Sequence, residues 1–366
     1  MRRLLLRLFF FLLPFILAMI IELFFLPINK FTFRTWEALQ KRMNWIGGPF
    51  YPDKKLAMEE EGDLGHHTPY ALRRQSEWET DSCGFRKSAT NKKIRIVVIG
   101  DSNVAGAGLT QKDMFSEVLE DLLGVGVYPF APETINGFLQ DIRFIQAPPE
   151  IVILAVFEHN IPGLFPKVAR QFVTPSPLYQ SLFKVRFLIM TNPIIQAVNV
   201  TFDRIIKAPM LYFIRAQIRR STVEPKVNYL LSADGRMLFL EGFSANHPKP
   251  KATLDQSIQR TSSYAAALKE RGVRFIFLPI PNKENIYHDL LPIRGKPVFL
   301  DQLIEALTLQ GVETLNIQKG FEEARRDGES LYIADDSHWN ENGSKIAARL
   351  AAEQIRSVDA AFGSKD

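Results

Sequence analysis

The chain has 366 residues, 46% hydrophobic and 23% charged, a balance that suits a globular protein and excludes a mainly disordered one. Its length exceeds that of one ordinary domain and predicts one large domain with appendages. The net charge of +5 and the pI near 9.1 do not point to nucleic acid, because the basic residues are scattered and no aromatic platform is interleaved with them. The lone Cys83 excludes an intramolecular disulfide and a CxxC site, and the six histidines form no HExxH or HxH pattern, so no metal or other cofactor is called for.

From Leu8 to Pro27 the sequence reads LFFFLLPFILAMIIELFFLP, with Glu22 its one charge. At about 1.5 Å per residue such a helix spans a hydrocarbon core of about 30 Å. Arg2, Arg3 and Arg7 precede the run. The positive-inside rule therefore predicts a single-pass protein of the inner (cytoplasmic) membrane, with the remainder exported to the periplasm. A cleaved signal peptide would be shorter and would end in small residues. Here Glu22-Leu23-Phe24-Phe25-Leu26-Pro27 offers no A-x-A-like site, and residues 1–28 read as an uncleaved anchor. Pro14 is placed to kink this helix, and Glu22 to lie near its outer interface.

Residues 29–90 read as an irregular neck packed across the main domain, with GGPFYP at Gly47–Pro52 and the acidic EEEGD at Glu59–Asp63. The pair His66-His67 is a weak metal candidate, since adjacent side chains of an extended chain face opposite ways.

Residues 91–366 carry the globular domain. Ile94–Ile99 is a short β-branched run of the kind expected for a buried parallel strand, and Met114–Leu123 reads as an amphipathic helix. Two more strands are predicted at Ile151–Phe157 and Val273–Ile280, the latter after a helix at Leu254–Glu270. Strands alternating with helices imply a doubly wound α/β structure, whose ligand site lies beyond the carboxyl ends of the strands. The polar residues fall there: Ser102 after the first strand, Asn160 after the second, Asn282-Lys283 after the third.

A serine hydroxyl becomes a nucleophile when a histidine accepts its proton and a carboxylate orients that histidine. Ser102 sits on a strand-to-helix turn that exposes its Oγ, a position where a serine also serves as a helix cap. Near the C-terminus Asp335-Asp336-Ser337-His338-Trp339-Asn340 supplies both remaining partners within four residues, before a closing helix at Gly343–Arg356. That pairing favours the nucleophile over the cap.

IVVIGDSNVAGAG resembles the first block of SGNH (GDSL-like) hydrolases, and DDSHWNENGSKIA resembles their last. TDSCGFRK (Thr80–Lys87) is similar to a lead-in of exported members. LPIPNKENIYHDLLP (Leu278–Pro292) and the DSHW tetrad resemble the branch of alginate-type polysaccharide O-acetyltransferases, which often carries its blocks in another chain order. The resemblance covers residues 80–160 and 230–355. It implies a flavodoxin-like SGNH three-layer α/β sandwich with a parallel sheet, behind one transmembrane helix. It also implies transfer or hydrolysis of an acyl ester, commonly acetyl on a carbohydrate acceptor. On this resemblance Ser102 is the nucleophile and His338 its base. Asp336 orients the histidine under the D-x-H-W pattern and Asp335 under the D-x-x-H pattern. The D-x-H-W pattern, completed by Trp339 and Asn340, favours Asp336 and leaves Asp335 as a solvated loop residue or helix cap.

The oxyanion hole would draw on Ser102, Gly137 and Asn160. The second block departs from the family, with Pro129 and Ala131 where Asn and Gly are expected, so that Asn136-Gly137 supply them only after a shift. The third block reads Glu158-His159-Asn160, retaining the asparagine alone. Lys283 either holds its loop or contacts an anionic substrate, Trp339 is a further substrate-binding candidate, and His159 and His288 are read as ordinary loop histidines.

Residues 163–245 form an insertion that mixes large apolar side chains, among them Phe183, Phe187, Leu211, Tyr212 and Phe213, with Lys184, Arg186, Arg204, Lys207, Arg215, Arg219 and Arg220. Core-packing helices and a basic lid lying on a membrane both account for this composition. Two functions are therefore expected. One is a membrane-anchored acyl-ester enzyme served by a membrane acyl-donor protein. The other is a catalytically weak SGNH-fold subunit of a membrane assembly.

Overall fold

Apolar seven-residue runs build the central layer of the computed structural model, which describes residues 2–24, 32–42, 47–164, 168, 170–207, 214, 229–240, 249–291 and 295–359. In chain order the first elements are α1 (Arg2–Phe24), α2 (Thr35–Leu39), β1 (Lys55–Glu60), β2 (Arg74–Glu79), β3 (Ile94–Gly100), α3 (Phe115–Leu123) and β4 (Gly126–Phe130). Next come α4 (Ile135–Gln140), α5 (Ile142–Gln146), β5 (Ile151–Phe157), α6 (Arg170–Val173), α7 (Pro177–Thr191), α8 (Pro193–Lys207), β6 (Tyr229–Leu231) and β7 (Leu238–Leu240). The rest are α9 (Lys251–Glu270), β8 (Arg274–Ile280), α10 (Lys283–Ile286), α11 (Phe299–Leu309), α12 (Ile317–Arg326) and α13 (Glu341–Val358).

The main sheet is parallel, in the order β4-β3-β5-β8. Both faces are covered, which is why its strands are apolar throughout rather than alternating. Ile96, Val98, Ile153 and Leu278 face α3 and α13, while Val97, Ile99, Leu154 and Phe277 face α4, α9 and α11. Buried Ala347, Ala348, Ala351 and Ala352 bring α13 close to α3. The doubly wound α/β class expected from the alternation of elements is the one observed. From β3 the chain passes to β4 on one side, then returns to β5 on the other. The loops after β3 and β5 diverge at that point and open a crevice, as topological switch points do.

The neck is more regular than its composition suggests. β1 and β2 form an antiparallel hairpin with Leu56 opposite Trp78, and Trp36, Phe50 and Trp78 pack edge to face at 5.1–6.2 Å. These rings belong to the main core, so the neck is fastened to the domain by apolar burial.

Helix α1 lies with its described side chains largely exposed. Among the described residues it is the one helix long and apolar enough to cross a membrane. Residues 25–27 and the Glu22 side chain lie outside the described residues, as do Leu211, Tyr212, Phe213, Arg215, Arg219 and Arg220 of the insertion.

Candidate active site

Ser102 stands on the turn leaving β3, held there by Asp101. One Asp101 oxygen accepts the Asn103 N–H at 3.0 Å. The other accepts the Phe157 N–H and the Asn160 Nδ2–H, each at 3.1 Å. The serine turn is thereby tied to the end of β5 across the crevice. Below it, the buried Arg86 guanidinium donates to the carbonyls of Ala105, Gly106 and Leu109 and stacks 3.9 Å over Trp78. The GFR lead-in thus braces the segment that follows the serine.

The turn at residues 333–340 brings the C-terminal residues to the same place. His338 Nε2 lies 2.7 Å from Ser102 Oγ, and His338 Nδ1 lies 2.5 Å from Asp336 Oδ1. Ser102, His338 and Asp336 thus form one hydrogen-bonded chain. Burial alone would depress the His338 pKa, but the Asp336 carboxylate, with Asp63 beside it, holds the imidazole above its ordinary 6.5. Burial likewise opposes ionisation of Asp336, yet His338, Arg34 and Arg74 keep it well below the usual carboxylate range.

Asp335 is not in this chain, and it is not solvated. It is buried, where it accepts the Gly62 N–H at 2.9 Å, the Leu72 N–H at 2.8 Å and Arg74 Nη1–H at 3.2 Å. It is neither the solvated loop residue nor the helix cap that the D-x-H-W pattern leaves it to be, because the neck folds over the loop. The approach is close enough that a Cβ on Gly62 would lie 2.1 Å from the Asp335 carbonyl oxygen.

Lys283 does not line the cleft that holds Ser102. Its ammonium is buried and donates to the carbonyls of Leu238, Ile333, Ala334 and Asp336 at 2.7–3.0 Å. Desolvation brings its pKa down to about 8. The lysine ties β7 and the histidine turn together, which answers the question of its role in favour of the loop. Trp339 is also corrected as a substrate contact. It is fully buried and stacks with Phe115 at 6.1 Å. Asn340 caps α13, accepting the Asn342 and Gly343 N–H groups at 3.0 Å.

Gly137 fails as an oxyanion donor because it sits inside α4, where its N–H is given to the cap residue Thr134 at 3.1 Å. It lines a cavity of about 250 Å³ between α7 and α4–α5 that does not reach Ser102. Asn160 does line the cleft with Ser102. One of its two amide hydrogens goes to Asp101, leaving the other available. No described acceptor takes the Ser102 N–H.

The cleft, of about 320 Å³, is lined by Arg34, Asp63, Ser102, His159, Asn160 and His338, among others. His159 Nδ1 lies 2.9 Å from Asn282 Oδ1, and burial lowers its pKa. His288 Nδ1 lies 3.1 Å from the Asn285 carbonyl of its own turn. His66 stacks on Phe33 at 3.9 Å, and its Nδ1 lies 2.9 Å from the Asp63 carbonyl.

Three residues of the site, all from the neck, carry no local sequence signal. Asp63 accepts the Ser337 N–H and hydroxyl at 2.8 and 2.6 Å, and its Oδ2 lies 3.7 Å from His338 Nδ1. Burial and the Asp336 charge raise the Asp63 pKa. Arg74 spans Asp335 and Asp336 at 3.2 and 3.3 Å, and Arg34 lies 4.0 Å from Asp63. Asp63, Asp336 and His338 offer ligand atoms within 4.8 Å of one another, but those atoms are already engaged in the contacts just described.

An α/β layer structure with a serine, a histidine and an aspartate converging at its switch point is the arrangement of the SGNH/GDSL superfamily. Residues 234–365 match the family model described as the SGNH hydrolase-like domain of the acetyltransferase AlgX, which places this part of the chain in the AlgX-like branch. The matched segment holds Lys283, Asp336 and His338, while Ser102 precedes it. A search of curated proteins finds no match. Among solved structures, the chain is similar to a lipolytic protein of the G-D-S-L family from Desulfitobacterium hafniense, at 12% identity and a TM-score of 0.35, covering 71% of this chain and 98% of that one. It is also similar to a member of the same family from Veillonella parvula, at 10% identity and a TM-score of 0.33, covering 71% and 97%.

Proposed function

We propose that the protein is a membrane-anchored, extracytoplasmic serine acyl-ester enzyme that adds or removes acetyl groups on a polysaccharide. The observation that carries this reading is the unbroken chain Ser102 Oγ, His338, Asp336, with separations of 2.7 and 2.5 Å. Ser102 Oγ attacks the acyl carbonyl as His338 Nε2 takes its proton. The tetrahedral oxyanion is received by the Ser102 N–H and the second Asn160 amide hydrogen. Collapse expels the donor alcohol, protonated by His338, and leaves an acyl-serine. A sugar hydroxyl or water, deprotonated by His338 in turn, then resolves it. The AlgX-like segment favours a carbohydrate acceptor. The apolar α1 favours an anchor and a membrane protein as acyl donor.

A serine-reactive phosphonate tests the nucleophile. The expected result is labelling at Ser102 alone, with Ser102→Ala folded, unlabelled and inactive on a chromogenic acetyl ester. Labelling elsewhere, or full activity of the alanine variant, rules out the nucleophile. The second reading, a catalytically weak subunit, is favoured by one observation, the commitment of the Gly137 N–H to its helix cap. One missing oxyanion donor costs about 3 kcal/mol of transition-state stabilisation. Absence of any acyl-enzyme in the wild type would select that reading.

A further inference from the structure

Helix α8 is built inside out. Its polar residues Asn199 and Asp203 are buried against the body. Asp203 accepts the Arg42 N–H at 2.8 Å and the Tyr51 hydroxyl at 2.7 Å. One turn on, the Lys207 ammonium donates to the carbonyls of Glu37, Ala38 and Gln40. The opposite stripe, Ile194, Val198, Phe202 and Ile206, recurs every four residues and is exposed, Ile194 by 73% and Phe202 by 57%. Its partner α7 shares the exposed apolar stripe but not the buried polar side. Phe183 is buried, while Leu178, Leu182, Val185 and Ile189 are exposed. A water-facing hairpin would have the reverse polarity.

We infer that the α7–α8 hairpin lies flat in the interfacial layer of the lipid bilayer, its apolar stripes sunk among the acyl chains. This rests on the reading of α1 as a membrane anchor. The occupant is argued from continuity, since α1, itself largely exposed and apolar, packs directly against α8. The bilayer that surrounds α1 therefore reaches the stripe on α8 without a gap. Length decides between lying and spanning. Each helix has 15 residues, about 22 Å at 1.5 Å per residue, too short for a core of about 30 Å. Exposed Lys184, between Leu182 and Val185, extends from the rim toward headgroups, as cationic side chains of interfacial helices do. Of the two accounts of the insertion's composition, the membrane-lying one fits this polarity.

The test is site-directed spin labelling of the full-length chain in lipid nanodiscs, on a Cys83→Ser background. Val198→Cys and Phe202→Cys report on α8, Leu182→Cys on α7, Leu12→Cys on the anchor and Lys319→Cys on an exposed position of α12. All five positions are exposed, and each labelled chain must keep the wild-type far-UV melting profile. The expected result is an oxygen-to-nickel-chelate collision ratio at 182, 198 and 202 several-fold above that at 319 and approaching that at 12. Water-like ratios at 182, 198 and 202 with a lipid-like ratio at 12 overturn the inference and leave the anchor standing. A water-like ratio at 12 overturns the anchor. Labels at 198 and 202 shielded from both reagents show a protein cover, a second copy of the chain, and also overturn the inference.

Discussion

Replacing Asp336 by Asn removes one charge and one acceptor from a carboxylate whose surroundings use both oxygens. Oδ1 faces His338, at 2.9 Å from its N–H and 2.5 Å from Nδ1. Oδ2 accepts the Asp63 N–H at 2.9 Å and Arg74 at 3.3 Å. An asparagine must turn its NH₂ to one side or the other. Facing His338, the NH₂ forces Nδ1 to accept, the proton moves to Nε2, and the ring loses its ability to take the Ser102 proton. Facing outward, it sets donor against the Asp63 N–H and Arg74. The first arrangement removes the base, and triads lose about 10⁴ in kcat this way, equivalent to about 5 kcal/mol of barrier. Asp335→Asn should behave differently, because Asp335 touches neither Ser102 nor His338. It gives up charge-assisted bonds to two backbone N–H groups and Arg74, and should cost about 3 kcal/mol of stability. Turnover of a chromogenic acetyl ester at low temperature, set against urea unfolding, separates the two. A variant Asp336→Asn within tenfold of wild type, or a folded Asp335→Asn with the larger loss of turnover, would refute the assignment.

The remaining expectations address pH, the loop and topology. His338 must be neutral to accept a proton, and its pKa is held above 6.5, so kcat/KM should fall as pH drops below a midpoint higher than 6.5. Asp63 helps to raise that pKa, so Asp63→Asn should move the acid limb to lower pH; a limb that moves up or stays fixed contradicts the electrostatic account. Lys283→Met should lower stability by about 3 kcal/mol, since four carbonyls lose a charged donor, and reduce kcat with it. A raised KM at unchanged stability would instead indicate substrate contact. Protease added to spheroplasts should digest the domain that follows α1, and resistance until the inner membrane is broken would sink the exported topology.

What could be read from the residues follows the range of the forces involved. β3, β5 and β8 are legible because a strand buried on both faces needs an unbroken apolar run. β4 is not, because Pro129 stands in its interior and argues against a strand. It is tolerated because β4 is the edge of the sheet, where no neighbour requires that N–H on the open side. The serine turn and the D-x-H segment are short-range patterns, so Ser102, Asp336 and His338 could be nominated, though their distances could not. Lys283 looked equally suited to a loop or a ligand, because which carbonyls surround an ammonium is a tertiary fact. Asp63 and Arg74 contact residues more than 260 positions away, and a one-dimensional pattern holds no trace of such a pairing. Gly137 comes from a shifted match to the family's second block, and that match does not register that Thr134 caps a helix beginning just before it.

The neck also sets a condition on any soluble form of the protein. Asp63, Asp335 and Asp336 crowd together at the site, and like charges so close cannot all ionise unless cations offset them. The cations come from both ends of the chain. Lys283 acts from beneath through the turn carbonyls, while Arg34 and Arg74 act from the neck. Glu60 on β1 is a further anion beside them, accepting the Thr35 N–H at 3.1 Å with Arg74 3.8 Å away. A chain cut at residue 91, where the large domain begins by sequence, would keep Asp335 and Asp336 but lose Arg34, Arg74 and the Gly62 and Leu72 N–H groups that hold the turn. His338 would then lose the support that positions it, and the core would lose the neck's aromatic side chains as well. A chain beginning at Thr32 keeps every described contact of the neck with the site. It should therefore support the ester activity that the shorter chain lacks, and equal activity of the two would show that the neck is dispensable to the chemistry.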